Sequence, residues 1–406
     1  MGEQNPRKGG ASRGRNRGGS GSRQGETLGS ATESERRGLL SRASEVVGET
    51  LGPVSLRRRW VGGNRPWRVS ESAFPEGGTL DARARFLVRY AVLAPSSHNT
   101  QPWLFTVGDG KIRLFADLDR WLTVADHDKR ELYLSLGTAL ENLLVAAEYF
   151  GLGHDVTYLP GSDSAHAATV RLSDSSPVGG ESDGVSDERT GKTRDEARLF
   201  AAIPNRRTSR GRFRDGPIPT ADLRTLYRHC VEDDVSLQLV ADRETLASIA
   251  DLTARANRRL YADYAYRREL ARWVGRGAFG DSWPAAKAGK VAVSYLNLGR
   301  QRARKDAQAV RKGPVVAVLR TDADDRRCQI RAGRVYERLN LLATALGIGT
   351  QPVSAPLEVE SLRRELTDLL GRPDRPVQQV FRLGYPQRED PPRPSPRRPA
   401  EAVLVD

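Results

Sequence analysis

One short stretch of the chain, residues 94–103, gathers side chains that can bind a polar ligand. It combines serine hydroxyls, an imidazole and side-chain amides with two prolines, and these polar groups donate or accept hydrogen bonds. Pro95 disfavours helical dihedral angles at Ala94, so the stretch ends the helix that is predicted before it. A polar connection between a helix and a strand has the same composition, and the residues alone leave both interpretations open.

A second stretch, residues 205–213, is rich in arginine. Four arginines lie around Thr208. Guanidinium groups and a hydroxyl can saturate the oxygens of a phosphate group from one short turn. Because such runs are usually solvated surface, a phosphate clamp and a charged surface segment remain alternatives at this point.

The two stretches resemble motifs of the nitroreductase family of FMN oxidoreductases. The run Pro95, Ser96, Ser97, His98, Asn99, Thr100, Gln101, Pro102 and Trp103 resembles the family's loop at the flavin edge. The histidine at position 98 resembles the form of this loop in the two-lobed, Acg-like branch of the family. Arg206, Thr208 and Arg210 resemble the Arg-x-Ser-x-Arg motif for the FMN phosphate, with threonine in place of serine. In the family this loop reaches across a dimer interface, so the resemblance implies a flavin held between two halves.

Two later segments resemble the remaining parts of a flavin site. Gln351 to Val353 occupy the position where family members run backbone past the flavin ring. Arg397 and Arg398 resemble a basic segment that helps to hold the phosphate, although a solvated tail explains them equally well. The resemblance thus implies this set of FMN-binding residues: Pro95, Ser96, Ser97, His98, Asn99, Gln101, Arg206, Arg207, Thr208, Arg210, Gln351, Pro352, Val353, Arg397 and Arg398.

The elements that position these motifs recur along the chain. Residues 126–153 align without a gap on residues 322–349, and the identities include Gly137 with Gly333 and Glu141 with Glu337. Shared caps, charges and glycines indicate a duplication rather than two unrelated helices. The aspartates at the start of each copy are interpreted as helix caps, and no metal site is expected.

The duplication predicts an α+β nitroreductase-like fold in which two fused, similar lobes pack as an internal dimer. The predicted boundaries are a disordered basic tail and lead-in at 1–75, a first lobe at 76–172, a flexible linker at 173–197 and a second lobe at 198–406. Residues 258–312 are either a lid over the flavin or a crossing helix with a surface insertion. The first lobe has the loop and the second has the arginines, so one complete and one degenerate flavin site are expected.

The composition and charge of the chain limit the kinds of molecule that it is expected to bind. The 406-residue chain has a net charge of +14, and half of the basic excess lies in residues 1–75, which begin with a Gly-, Ser- and Arg-rich tail. Nucleic-acid binding is therefore not expected of the folded part, beyond a weak contact through the tail. Two isolated cysteines fit a reducing compartment, and no run is apolar enough for a membrane span. We expect a cytoplasmic monomer that acts on a small-molecule substrate.

The resemblance implies an oxidoreductase with FMN as cofactor and NAD(P)H as co-substrate. Hydride would pass from NAD(P)H to flavin N5 and then to a flat, electron-poor acceptor, and no side chain is predicted to be catalytic. A protein that sequesters or senses FMN with little turnover is the alternative. A basic-tailed scaffold with an inactive flavin fold is a third, less favoured interpretation.

Overall fold

The computed structural model describes residues 63–161, 165–174, 194–296, 298–387 and 393–405. The predicted tail up to residue 62 and the predicted linker from 175 to 193 lie outside these ranges. Residues 63–75, which were assigned to the tail and lead-in, form two short 3-10 helices, and Phe74 stacks on Phe150 with ring centroids 4.0 Å apart. The predicted boundary at residue 76 is therefore too late, because aromatic packing already fixes this segment on the core.

Within the described ranges, each half of the chain builds a four-stranded antiparallel sheet. The first half contains α1 (Leu80–Ala91), β1 (Trp103–Gly108), β2 (Lys111–Ala116), α2 (Arg130–Tyr149), β3 (Gly153–Tyr158) and β4 (His166–Ser173). The second half contains α3 (Arg194–Ala202), α4 (Thr220–Arg228), β5 (Val235–Val240), α5 (Arg243–Ala262), α6 (Tyr264–Gly275), α7 (Trp283–Tyr295), α8 (Gly299–Arg311), β6 (Val315–Thr321), α9 (Arg326–Ala345), β7 (Gly349–Pro352), α10 (Glu360–Leu369) and β8 (Val377–Gly384). The strand orders, β1-β2-β4-β3 and β5-β6-β8-β7, are the same, which agrees with the predicted duplication.

Short polar residues set the ends of the two long repeated helices. Asp126 accepts hydrogen bonds of 2.8 Å from the backbone N–H groups of Glu131 and Leu132 at the start of α2. In the second copy Asp325 takes this role and accepts from the Cys328 N–H at 2.8 Å. Both contacts satisfy donors that a helix leaves without intrahelical partners. The capping interpretation therefore holds for Asp126, but it is wrong for Asp322, which pairs with Arg375 while Asp325 caps the helix.

The helices α2 and α9 pack against each other through two glycines. A Cβ atom added to Gly137 would lie 2.0 Å from the Ile330 carbonyl oxygen, and one added to Gly333 would lie 2.0 Å from the Leu134 carbonyl oxygen. Such separations are far below van der Waals contact, so only glycine allows the two backbones to touch. The glycines that the sequence repeat aligns thus form the crossing point of the repeated helices.

The two halves share one hydrophobic core rather than forming separate domains. Phe200 on α3 stacks on Tyr149 of α2 with ring centroids 3.7 Å apart. At the carboxy-terminal end, residues 393–405 return to the first sheet, where Phe105 exchanges backbone hydrogen bonds of 2.8 Å with Val403 and Val405. The linear boundaries are therefore wrong at two places, since α3 begins inside the predicted linker and the last segment packs on the first lobe.

The second half carries a helical insertion where the first has a tight turn. Asp109 and Gly110 alone join β1 to β2, whereas α5 to α8 lie between β5 and β6. Tyr266 and Trp273 from this insertion are buried in a small apolar cluster with Leu122. None of the helices in the described ranges is long and apolar enough to cross a membrane.

Candidate functional site

A cavity of about 1630 Å³ lies between the polar loop of the first half and the arginine-rich segment of the second. Pockets for one small ligand typically have volumes of roughly 300–1,000 Å³, so this cavity has room for a large ligand and a second molecule. It brings together most of the residues that the sequence motifs singled out: Pro95, Ser96, Ser97, His98, Asn99, Arg206, Arg207, Thr208, Arg210, Gln351, Pro352, Val353 and Arg397.

The polar loop has a strained backbone that α2 holds in place. His98, Asn99 and Gln101 have positive φ values of 46°, 54° and 53°, which residues with a Cβ atom rarely adopt. The Ser135 hydroxyl accepts a hydrogen bond from the backbone N–H of Ser97 at 3.3 Å, and α2 also bonds the Pro95 carbonyl. Strain of this kind persists only where the surroundings enforce it, and it concentrates at ligand sites.

Gln101 and Arg398 were predicted to contact the cofactor, but neither lies in the cavity wall. The Gln101 side chain is fully buried, and its Oε1 atom accepts from the backbone N–H of Arg398 at 2.6 Å. Arg398 donates in turn to the Asp117 carboxylate at 3.0 Å. These residues therefore tie the loop to the carboxy-terminal segment, and their predicted direct contact is not supported by their position.

Asn99 and Arg397 line the cavity but are already bonded to each other. Asn99 Oδ1 accepts from Arg397 Nη1 at 2.8 Å, while its Nδ2 donates to the carbonyl oxygens of Ala278 at 2.7 Å and Pro396 at 3.0 Å. The Arg397 guanidinium also donates to the Leu93 carbonyl oxygen. Asn99 thus connects the loop to the helical insertion at Ala278, which the motif did not reveal.

The arginine-rich segment forms an electropositive wall. Arg206 is buried, with its Nε atom 3.2 Å from Glu337 Oε1, and Arg207 lies over the Trp67 ring at 4.2 Å from its centroid. Burial, followed by repulsion from Arg206, lowers the pKa of Arg207 to about 10. Burial and then Arg302 lower the pKa of Arg210. Cations held close together in this way favour an anionic ligand between them.

Further cations from the insertion and the second sheet surround the same space. Arginine and lysine outnumber carboxylates in the lining, and the additional cations are Arg212, Arg302, Lys305, Arg382 and Arg393. Arg382 fixes the wall, because it donates to the Gly211 carbonyl at 2.6 Å and to Gln351 Oε1 at 2.8 Å through Nε. An arginine between Phe381 and Leu383 in strand β8 was the available signal for this residue, whereas nothing in the sequence pointed to Trp67.

His98 lies beside aromatic side chains in the cavity wall. Its ring centroid is 6.3 Å from that of Tyr266 and 6.4 Å from that of Phe279, both contributed by the insertion. Burial, followed by repulsion from Arg210 and Arg302, lowers the pKa of His98 to about 4. The imidazole is therefore neutral near pH 7, and the insertion supplies an aromatic wall opposite the polar loop.

Comparison with known proteins shows which family this chain belongs to. The model of the nitroreductase family matches residues 203–385. A Mycobacterium tuberculosis protein provisionally named an NAD(P)H nitroreductase is 32% identical over 343 residues, which cover 82% of this chain and 92% of that protein. The chain belongs to the nitroreductase family. The predicted family, α+β nitroreductase fold and oxidoreductase class are thereby confirmed.

Another relative agrees with the predicted branch of the family. The M. tuberculosis protein acg, also provisionally named an NAD(P)H nitroreductase, is 31% identical over 331 residues, covering 78% of this chain and 93% of the relative. Solved structures similar to this chain include a nitroreductase with bound FMN from Bacteroides fragilis, with TM-score 0.32, 17% identity and coverage of 47% of this chain and 90% of that chain. Another is the FMN-dependent nitroreductase NfnB from Mycobacterium smegmatis in complex with NADPH, with TM-score 0.33, 19% identity and coverage of 47% and 88%.

Proposed function

We propose that the cavity holds FMN and that the protein uses NAD(P)H to reduce a flat, electron-poor small molecule. One observation carries the proposal: the Ser97-His98 loop and the Arg206–Arg210 segment, which resemble two separate flavin motifs, face one another across a single cavity. The names of the M. tuberculosis relatives support NAD(P)H as the reductant. When bound, FMN supplies the carrier for hydride between NAD(P)H and the acceptor.

The donor set of the cavity fits FMN. Arg207, Thr208 and Arg210 offer guanidinium groups and a hydroxyl to a phosphate, and an anion there would offset the desolvation and mutual repulsion that lower the pKa values of both arginines. Arg206 belongs to the same segment and is positioned by Glu337. These residues therefore form the phosphate end of the proposed site.

Another part of the cavity wall fits an aromatic ring system. Val353 donates its backbone N–H to the Val380 carbonyl at 2.8 Å, so the next backbone donors in this segment are Ser354 and Ala355. Gln351 accepts from Arg382 and is held in the sheet. The predicted run Gln351 to Val353 thus serves as a rigid edge beside the ring, and the hydrogen bonds to it would come from the residues that follow.

The insertion determines how water and substrates reach this end. Tyr261, Tyr266 and Phe279 contribute aromatic rings to the cavity wall. Exclusion of water by such a wall strengthens the electrostatic interactions inside and protects a reactive carrier from side reactions. The same wall must open far enough for NAD(P)H and the acceptor to enter in turn.

A contact between the loop and the insertion favours the alternative function, FMN sequestration. Asn99 donates to the Ala278 carbonyl at 2.7 Å and so joins the two sides of the cavity. If this contact persists in solution, bound FMN is shielded from NAD(P)H and turnover is slow.

One anaerobic experiment separates the two functions. The protein is loaded with FMN, freed of excess ligand and mixed with NADPH while the flavin absorbance is followed. Rapid bleaching, and recovery on addition of menadione, is the result expected of the oxidoreductase. Retention of yellow colour supports sequestration, and failure to retain any flavin contradicts both.

A further inference from the structure

One carboxyl group in the cavity wall has no role in the flavin site described above. Glu358 lies at the end of the short 3-10 helix Ala355–Glu358, directly after the segment Gln351–Val353 that borders the proposed ring. Its Oε2 atom is shielded from solvent and has no hydrogen-bond partner among the described residues. A shielded oxygen without a partner is costly for an ionised carboxylate, so the geometry favours the protonated acid.

The groups around Glu358 come from three helices. Tyr266 and Glu269 on α6, Glu131 and Arg130 on α2, and Tyr261 on α5 all interact electrostatically with it. Burial is the largest influence and, together with Glu131, raises the pKa of Glu358 to about 8, against the opposing effects of Arg130 and of a hydrogen bond with Tyr266.

We propose that Glu358 is the acid that delivers a proton to the acceptor as it is reduced. This role rests on the proposed function, because it requires an acceptor beside the flavin edge. Reduction of a quinone consumes one hydride, which derives from NAD(P)H, and one proton. The O–H bond of Glu358 breaks, a new O–H bond forms on the quinone oxygen, and the bonding pair stays on the carboxylate, which solvent protonates again after the product leaves.

The other titratable groups at this end are poorer donors. His98 has a pKa lowered to about 4 by burial, so its imidazole is neutral near pH 7, and the remaining N–H of a neutral imidazole is a very weak acid. The pKa of Tyr266 is raised well above its ordinary value, chiefly by burial, so its phenol is a weaker acid than that of an exposed tyrosine. Glu131 pairs with Arg130 at 2.6 Å and lacks the free oxygen of Glu358. Glu358 alone combines an available proton with an unpaired oxygen at this wall of the described structure.

The test compares two acceptors in the FMN-loaded full-length protein. Menadione must gain a proton when it is reduced, whereas ferricyanide accepts an electron and no proton. In Glu358→Gln, reoxidation of the reduced flavin by menadione should slow at least about tenfold, since general acid catalysis contributes roughly 10²–10⁴-fold. Reoxidation by ferricyanide should be unchanged. The matched control is Glu360→Gln, which alters an exposed glutamate two positions away that pairs only with Arg364 among the described residues.

The dependence on pH adds a second readout. In the wild type, the menadione rate should fall as pH rises through about 8, because the protonated form of Glu358 is lost, and Glu358→Gln should abolish this dependence. Burial also raises the pKa of Glu337 to about 8, so infrared difference spectra of the flavin-free protein should show more than one protonated carboxyl over the same interval. The band of Glu358 should be missing from Glu358→Gln and present in Glu360→Gln. Glu358→Asp keeps the acid and should restore part of the menadione rate.

Three outcomes overturn the proposal. These are equal losses with menadione and ferricyanide, a Glu358→Gln rate equal to that of Glu360→Gln, and infrared spectra in which Glu358→Gln loses no carboxyl band. If Glu358→Gln does not fold, the menadione pH profile and infrared spectra of Glu358→Asp, compared with wild type, decide instead. The flavin is reduced with dithionite in these assays, so failure of NADPH to reduce it counts against the proposed function and leaves the test of Glu358 intact.

Discussion

At Arg206, Arg207 and Arg210 three guanidinium groups lie within one short turn, and each has a different anchor. Arg206 pairs with Glu337, Arg207 lies over Trp67, and Arg210 lies over the Phe279 ring at 5.6 Å from its centroid. Only Arg206 has a carboxylate at salt-bridge distance within the described residues. The arrangement therefore leaves two cations for a ligand, and it places one of them against the insertion.

Replacing Arg210 with alanine should weaken FMN binding far more than riboflavin binding. Loss of a charge-assisted contact to phosphate costs about 1.5–3 kcal/mol, roughly a tenfold to hundredfold rise in Kd, and riboflavin has no phosphate to lose. Fluorescence quenching during titration of the flavin-free protein measures both constants. Arg214→Ala is the matched control, because Arg214 is exposed and lies outside the cavity lining. Equal weakening of both flavins by Arg210→Ala would remove Arg210 from the phosphate site.

The sequence predicted which residues meet at this site better than it predicted what each side chain does there. Motif resemblance pointed to Ser97, His98 and Arg210, and these residues line one cavity. It assigned Gln101 and Arg398 to the cofactor, although each satisfies the other across nearly three hundred residues of chain. Residues so far apart in the sequence can bond only if the carboxy-terminal segment folds back onto the loop. No local sequence pattern encodes that path.

At the scale of elements, the crossing of α2 and α9 decides the geometry of the site. α2 supports the polar loop through Ser135 and Thr138, and α9 positions Arg206 through Glu337. Because the two helix backbones touch at Gly137 and Gly333, a change in their separation moves both walls of the cavity.

Gly137→Ala should therefore destabilise the protein strongly. In an open helix, alanine in place of glycine stabilises by about 0.5–1 kcal/mol, but here the new Cβ atom would lie 2.0 Å from a backbone oxygen. Overpacking of this kind typically costs about 1–3 kcal/mol of stability. Because the contact is with backbone atoms, we expect the loss in the free energy of unfolding to lie at or above the upper end of this range. Urea denaturation measures it, with Gly108→Ala as control because nothing lies within 4 Å of that position. A loss no larger than that of Gly108→Ala would show that the helices can separate without cost.

The repeat places different side chains at the positions that correspond to Ser135 and Thr138. Arg331 and Arg334 occupy the repeat positions of Ser135 and Thr138. Arg331 bonds Glu232 and lies 2.9 Å from Asp234, and Arg334 bonds both Glu232 and Glu141. Where the first copy presents small hydroxyls to a ligand, the second fills the space with ion pairs.

Glu141→Gln tests this ion-pair network. Burial raises the pKa of Glu141, but Arg338 and Arg334 outweigh burial and hold it below its ordinary value. Removing the charge leaves two buried guanidinium groups undercompensated, which costs about 3–5 kcal/mol in comparable buried pairs. A carboxyl with a lowered folded-state pKa stabilises the protein above its unfolded pKa of about 4.5 and loses this contribution as pH falls through the folded value.

Denaturation at neutral and acidic pH measures the effect of Glu141→Gln. The difference from wild type should be largest at neutral pH and shrink in acid. Glu148→Gln is the control, because Glu148 is partly exposed and its contact with Arg338 is longer, at 3.4 Å, so its loss should be smaller. A pH-independent difference would show that Glu141 acts through packing rather than charge.

At the scale of the whole molecule, the two halves are interlocked. α3 packs on α2, and residues 393–405 pair with β1. Within the second half, the Ser209 N–H donates to the Thr350 carbonyl at 2.8 Å and holds the arginine-rich segment on that half. The sequence predicted the duplication from repeated glycines and glutamates, but linear boundaries missed the exchange of segments because contacts between distant segments leave no local pattern. Each half therefore supplies part of the other's surface, and the proposed flavin site draws on both.

This construction predicts one FMN per chain and a monomer in solution. The two halves are joined in one chain, and in the second half the Arg331 and Arg334 ion pairs take the repeat positions of Ser135 and Thr138. Light scattering combined with flavin absorbance should give a mass near 44.7 kDa and an FMN to protein ratio of one, both independent of protein concentration. Replacing Arg331 with serine and Arg334 with threonine, the residues at the equivalent positions of the first copy, should leave the ratio at one, because the arginine-rich segment has no counterpart in the first half. A second equivalent of FMN in wild type, or a dimer that releases its flavin on dissociation, would contradict the internal-dimer interpretation at its central point.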